Sequence, residues 1–185
     1  MATGKPKFYW DTAPLIAWIA NEKRADPAEM DGLAEVVEMV QRGAAVLMTS
    51  VLWRAEILEL KLSKVQRTRL EESFDGRNFI ELSADGRVMD LAGEIRAIQK
   101  ASKKKDVLKN IRTPDAIHLA TAIHYDATEF HTFDGARSGT SHAGLLSLNG
   151  NVGGHRLKVC VPHATQLRLA FPFEETDTPD PSGQE

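Results

Sequence analysis

The stretch Ala45-Val46-Leu47-Met48-Thr49-Ser50-Val51-Leu52-Trp53-Arg54-Ala55-Glu56 decides the fold. Residues 45–49 form a continuous apolar run of strand length ending in a threonine. An apolar run without alternation predicts a strand covered on both faces, as in a parallel sheet. Ser50 can cap the helix that follows, predicted over residues 51–62. A strand running straight into a helix is half of a βαβ unit, the connection that parallel strands require.

The same pairing recurs on either side. Lys7-Phe8-Tyr9-Trp10 reads as a strand ending at Asp11, and residues 14–20 as a helix with Pro14 near its first turn. Apolar positions 33, 36, 37 and 40 predict a helix over residues 31–42, ended by Gly43. A helix over residues 64–74 stops at Asp75-Gly76, and residues 79–82 are strand-like. A long helix is expected over residues 85–101, with apolar positions 88, 91, 92, 95 and 98. Thr113-Pro114-Asp115 opens another helix, with Thr113 as N-cap, running to about residue 125. Residues 129–133 and 159–161 complete the strands. The alternation predicts an α/β protein: a central, mostly parallel sheet of about five strands with helices on both faces.

Composition narrows the class. The chain has 185 residues, 42% hydrophobic and 26% charged, ordinary for a globular protein with its own core. Residues 1–173 are read as one domain carrying a Gly-rich insertion at about 135–155. Residues 174–185 hold five acids and no base and read as a disordered acidic tail. Without them the body carries a formal +2, which neither demands nor opposes a nucleic-acid partner. The single cysteine, Cys160, excludes an internal disulfide and a thiolate cluster, and its strand-like surroundings predict a buried inert thiol. No apolar run approaches the ~18–20 residues needed to span a bilayer, and residues 1–7 lack the apolar core of a secretion signal. The expected compartment is the cytosol, with no membrane partner.

Ligands of an open parallel sheet bind beyond the carboxyl ends of its strands. Asp11 and Asp134 terminate two of those strands, and Asp115 opens a helix that starts at the same rim. On a helical wheel Glu56 falls about opposite Arg54, on the side otherwise filled by apolar residues. A carboxylate on a buried helix face is costly unless something pairs with it. Alone, each acid is better read as a cap, a turn or a dipole partner; their joint placement is what carries weight. Four converging carboxylates require raised pKa values or a cation. An all-oxygen donor set suits a hard divalent ion, Mg²⁺ or Mn²⁺, and such ions favour phosphate oxygens as partners. The implied chemistry is metal-assisted attack of water on a phosphodiester.

A basic run supports that reading. Residues 96–112 hold Arg96, Lys100, Lys103, Lys104, Lys105, Lys109 and Arg112 against Asp106 alone. They can bind phosphates or simply form a solvated helix end, and sequence leaves both open. His118, three residues after Asp115, fits packing or a supporting role near the site. Trp18 and Trp53 read as core.

Four segments together resemble a known family. Residues 9–16 (YWDTAPLI), 49–57 (TSVLWRAEI), 113–122 (TPDAIHLATA) and 130–134 (FHTFD) are similar, in order, to the four motifs of PIN-domain nucleases. The resemblance spans roughly residues 7–162. It implies a PIN-like fold and a Mg²⁺- or Mn²⁺-dependent endoribonuclease, most often the VapC-type toxin of a toxin–antitoxin pair. It assigns metal-binding and catalytic roles to Asp11, Glu56, Asp115 and Asp134, and a supporting hydroxyl to Thr12. Implied partners are an RNA substrate, a cognate antitoxin protein and a second copy of the chain. The sequence departs from the family where a further Asp or Asn often follows the fourth motif; here it reads Gly135-Ala136-Arg137-Ser138. The alternative function is a catalytically weak PIN-like module that binds RNA or a protein partner. A phosphatase with Asp11 as nucleophile is disfavoured by Ala13, where a second Asp would be wanted. A DNA-directed nuclease is not separable from a ribonuclease by sequence.

Overall fold

The computed structural model describes residues 4–57, 62–74, 78–101, 111–135 and 144–163. Among them, strands β1 (Lys7–Trp10), β2 (Val46–Ser50), β3 (Phe79–Leu82), β4 (Glu129–His131) and β5 (Lys158–Cys160) form one sheet, ordered β3-β2-β1-β4-β5. Every pairing is parallel; Tyr9 lies beside Met48 on one side, and Trp10 beside His131 on the other. The helices are α1 (Thr12–Ala20), α2 (Pro27–Gln41), α3 (Trp53–Ile57), α4 (Lys64–Phe74), α5 (Gly86–Ala101) and α6 (Thr113–His124).

Alternation along the strands divides the interior into two cores. Tyr9, Met48 and Phe130 pack on one face with Val88 and Ile95 of α5 and Leu119 of α6. Phe8, Trp10 and Leu47 pack on the other with Leu15 of α1, Leu33 and Val36 of α2 and Trp53 of α3. Both faces are therefore covered, which is why the strands lack a polar stripe. Each fully buried large side chain contributes on the order of 1.5–3 kcal/mol. No helix among the described residues is long and apolar enough to cross a membrane.

Several boundaries differ from the sequence reading, three of them among the helices. Helix α2 begins at Pro27 rather than residue 31, because Asp26 accepts a 2.9 Å hydrogen bond from the Ala28 N–H. Helix α6 takes Arg112 as N-cap instead of Thr113, which moves Pro114 to the second position. The helix expected over residues 51–62 is observed as the single turn and a half of α3; residues 58–61 lie outside the described residues. Ser50 Oγ accepts from the Leu52 N–H in the turn before it. Helix α4 starts with a reciprocal cap: the Gln66 N–H donates to Ser63 Oγ, and the Ser63 N–H to Gln66 Oε1.

The part of the Gly-rich segment that is described, residues 144–155, contributes core. Leu145, Leu148 and Val152 are buried beneath α5 and α6, with Leu145–Leu148 forming a 3₁₀ turn. Residues 136–143, the tail 174–185 and Lys103, Lys104 and Lys105 lie outside the described residues.

Beyond β5 the chain crosses α2 in backbone contact. A Cβ on Gly32 would collide with the Pro162 carbonyl, whereas one on Gly93 of α5 would meet nothing within 4 Å. Gly32→Ala is therefore expected to destabilise the protein by about 1–3 kcal/mol, the range for forced overpacking. Gly93→Ala is expected to stabilise it by about 0.5–1 kcal/mol through helix propensity. Urea unfolding of the two variants checks the pair; similar shifts of the same sign would refute the close crossing.

Candidate active site

The sheet order reverses between β1 and β4, and the strand ends there form the crevice where ligands of such sheets bind. Asp11 follows β1 directly, and its N–H donates to the His131 carbonyl across the crevice, 3.2 Å. Asp11 is also the N-cap of α1: its Oδ1 accepts the Ala13 N–H at 3.0 Å. Its ordinary role as a cap and its place at the rim thus coincide, since capping orients the carboxylate. Asp134 lies three residues past β4, its N–H bonded to Thr132 Oγ1 at 3.0 Å. Glu56 is carried by α3, and Asp115 by the first turn of α6.

Helix α6 brings polar groups into the interior. Residues Asp115 to Ala122 are all buried, and among them only Asp115, His118 and Thr121 are polar. Thr121 satisfies its hydroxyl on the Ile117 carbonyl. His118 connects sheet to site: Nδ1 lies 2.8 Å from the Tyr9 hydroxyl and Nε2 lies 3.0 Å from Glu56 Oε2. Thr12 Oγ1 donates to the same Glu56 oxygen and lies 3.2 Å from His118 Nε2. An ionised carboxylate only accepts. The contact with Glu56 therefore places a ring proton on Nε2. Tyr9, His118 and Thr12 together fix the position of Glu56.

The electrostatics follow from burial and neighbours. Burial raises the Asp11 carboxyl to about 7; the Asp115 charge adds to this, while the Thr132 hydroxyl, His118 and the Ala13 N–H oppose it. Burial also pushes Glu56 upward, but hydrogen bonds from His118 and Thr12 outweigh it and leave Glu56 below the usual range. Burial holds Tyr9 well above the usual phenol range. Arg112 pairs with Asp115 through both oxygens, Nε to Oδ2 at 2.7 Å and Nη2 to Oδ1 at 3.0 Å. Its guanidinium is held charged first by those bonds and then by the charges of Asp115, Asp134 and Glu56.

Asp115, Asp134 and Glu56 thus act on one guanidinium, and Asp115 acts also on Asp11. The four acids share one electrostatic environment, and a cation already stands in it. That stand-in charge, and a donor set made of carboxylate oxygens, fit a hard divalent ion. Thr12 contacts Glu56 rather than standing free, and Arg112 is engaged with Asp115 rather than open to a phosphate. Sequence reasoning did not single out Tyr9 or Thr132. The available signal was Tyr9's place next to Trp10-Asp11, with the opposite side-chain direction.

A second group of potential ligands lies on the sheet face toward α2. Glu129, His131 and Cys160 bring one ligand atom each within 4.8 Å of one another, a set able by type to coordinate a metal. Its charges are already met: Lys158 Nζ lies 2.7 Å from Glu129 Oε1, and His131 Nε2 lies 3.1 Å from Glu129 Oε2. The His131 hydrogen bond, chief among its partners, holds Glu129 down at about 2. Burial, followed by the Glu129 charge, pushes the Cys160 thiol up to about 11, so it stays protonated and unreactive, although it is half-buried rather than buried as its strand-like surroundings suggested. A cavity of about 710 Å³ on the same side of the sheet is lined by Trp10, Trp18, Val37, Val40 and Phe79, and by none of the four acids.

A family model described as "PIN domain" matches residues 8–137. No curated protein matches the chain. Among solved structures it is similar to "Crystal structure of VapBC2 from Rickettsia felis bound to a DNA fragment from their promoter". That likeness is 16% in sequence, covers 68% of this chain and 86% of that one, and has a TM-score of 0.48, too distant to bear on mechanism.

A raised carboxyl has a definite pH consequence. Folding favours protonated Asp11, so its contribution is complete below its ordinary value of 3.8 and is lost as pH rises through about 7. In chelator at pH 8, Asp11→Asn is expected to be more stable than wild type by about 2 kcal/mol, with the difference shrinking toward pH 4. Asn caps a helix as well as Asp does. Urea midpoints at the two pH values check this; a difference independent of pH would rule out ionisation as the cause.

Proposed function

The chain belongs to the PIN-domain family, and on that premise we propose that it is a Mg²⁺- or Mn²⁺-dependent endoribonuclease whose site is Asp11, Glu56, Asp115 and Asp134. One observation carries the reading: three of these acids act on a single cation at the sheet's switch point, and the fourth is coupled to them through Asp115.

Asp11 and Asp115, both buried, would hold the principal ion, with Asp134 and Glu56 completing the site directly or through water. A bound dication lowers the pKa of a coordinated water and offsets charge on the scissile phosphate. The chain's own contribution is geometry. Helix capping fixes the Asp11 carboxylate, and His118 and Thr12 hold Glu56 ionised and aimed. Held in this way, Glu56 can orient a water or take its proton. Lys103, Lys104 and Lys105, with Arg112 when released from Asp115, would bind substrate phosphates.

We read the protein further as the toxin of a toxin–antitoxin pair, with a cognate antitoxin and a homodimer as its assemblies and the cytoplasm as its place. Residues 1–173 are proposed to be one nuclease domain. The second reading, a PIN-like module that binds without cutting, is favoured by one feature: both oxygens of Asp115 are already paired with Arg112.

Purified protein with Mn²⁺ is expected to cleave structured RNA faster than the equivalent DNA. Cleavage should fall at least about a hundredfold in EDTA or in Asp11→Asn, since the ion supplies several kcal/mol of transition-state stabilisation. His118→Ala, which only loosens Glu56, should lose about 10–100-fold. Gel assays of all three decide. Cleavage by Asp11→Asn at the wild-type rate would discard the mechanism, and faster DNA cleavage would reassign the substrate.

A further inference from the structure

Arg112 occupies a position that helix chemistry disfavours. It is the N-cap of α6, with φ −67° and ψ 154°, and its side chain makes no capping hydrogen bond. Ser, Thr, Asp or Asn is preferred there because a short oxygen-bearing side chain satisfies an orphan N–H. A positive charge at that end also opposes the helix dipole. Forming α6 therefore does not account for an arginine at this place. The residue's contacts do: it reaches three residues along the helix and takes both oxygens of Asp115.

The pair is lopsided in burial. The Asp115 side chain is 10% exposed and that of Arg112 is 55% exposed. The guanidinium thus covers a sunken carboxylate from the solvent side, and it feels the charges of Asp134 and Glu56 as well. Its half-exposed side can return to water at little cost, whereas the buried acids cannot. Half-exposed ion pairs are individually weak, so a ligand that offers two charges to several carboxylates at once can replace this one. A dication bonded at about 2.1 Å to either Asp115 oxygen would lie within about 5 Å of the guanidinium, and the two would repel.

We propose that Arg112 is a built-in counter-cation, which neutralises the carboxylate site before metal arrives and must leave Asp115 for metal to bind. This rests on the metal-site reading above and adds a gate to it. The site is then stable when empty and loads only where the ion is abundant enough to compete. The cost of that competition appears as weakened metal affinity. Because Arg112 is tethered by one backbone position, the released side chain stays at the mouth of the site.

The test is a Mn²⁺ titration of the full chain, read by the electron paramagnetic resonance of free Mn²⁺ at fixed ionic strength. The variants are Arg112→Met, which keeps length and loses charge, Arg112→Lys, which keeps charge and loses the two-pronged grip, and Asp115→Asn. Arg112→Met is expected to bind Mn²⁺ about tenfold tighter than wild type, and Arg112→Lys about threefold tighter. Without metal, Arg112→Met should melt below wild type, and Mn²⁺ should raise its melting temperature by more. If Arg112→Met does not fold, the Lys variant alone decides. Affinity equal to or weaker than wild type in the folded Arg112 variants overturns the gate and leaves the metal site standing. Absence of Mn²⁺ binding in every protein, or binding untouched by Asp115→Asn, overturns the metal-site reading itself.

Discussion

Negative charge gathered at the end of a buried parallel sheet must be met by something positive, and that requirement organises this molecule. Asp11 and Asp115 are each only 7% exposed, and both lie at ends of apolar elements. Removing carboxylates from water costs several kcal/mol each unless partners replace the solvent. The structure uses three kinds of replacement. Asp11 takes N–H and hydroxyl donors and a raised pKa, Glu56 takes a histidine and a threonine, and Asp115 takes an arginine. None of these partners is a distant surface charge; each is fixed by a strand end or a helix turn.

The fold makes such a concentration possible because α6 is buried along most of its length. A helix with eight consecutive buried residues cannot carry large side chains on every face, and its small residues Ala116, Ala120 and Ala122 let it approach the sheet closely. That closeness brings His118 within reach of Tyr9 on β1 and of Glu56 on α3 at the same time. Tyr9 is fully buried, so the chain of contacts from sheet to carboxylate is shielded from water and its hydrogen bonds are strengthened. Surroundings, not intrinsic acidity, separate the two carboxyls: near-complete burial raises Asp11 to about 7, while Glu56, only partly buried and with two donors on one oxygen, is held below the usual range.

Much of this was legible beforehand, for physical reasons that differ by residue. Continuous apolar runs announced the two-sided sheet, and the strand-end rule then located Asp11 and Asp134 without any family knowledge. Glu56 stood out because a wheel showed an acid on an apolar side. Caps were harder. Asp26 and the Ser63–Gln66 pair are ordinary local signals that the periodic pattern overshadowed, and α2 was started four residues late as a result. The role of Arg112 was hidden in composition: counted within a basic run it looked like a phosphate contact, and only its three-residue spacing from Asp115 distinguishes it. The Tyr9–His118–Glu56 connection joins His118 to residues 109 and 62 positions away, a relation that no local pattern encodes. Within the Gly-rich segment, Leu145, Leu148 and Val152 were the sequence signal for a contribution to the core.

Two groups of potential ligands among the described residues show why ligand type alone does not make a metal site. Glu129, His131 and Cys160 are closer to a recognisable transition-metal set than the four carboxylates are. Yet Trp10 Nε1, which can only donate, lies 3.2 Å from His131 Nδ1. The ring must accept there, so its proton sits on Nε2, on the side of Glu129 and the would-be ion. Metal at Nε2 would require moving that proton to the nitrogen that faces the tryptophan N–H, leaving two donors opposed. Lys158 meanwhile supplies the positive charge that Glu129 needs. At the rim the case is reversed: among the described residues the carboxylates outnumber the guanidinium whose charge they share, and their oxygens carry no proton that must be relocated once Asp11 ionises. A site is open to a cation where negative charge exceeds what the protein itself provides, and among the described residues the switch point between β1 and β4 is where the proposed ion would find that excess.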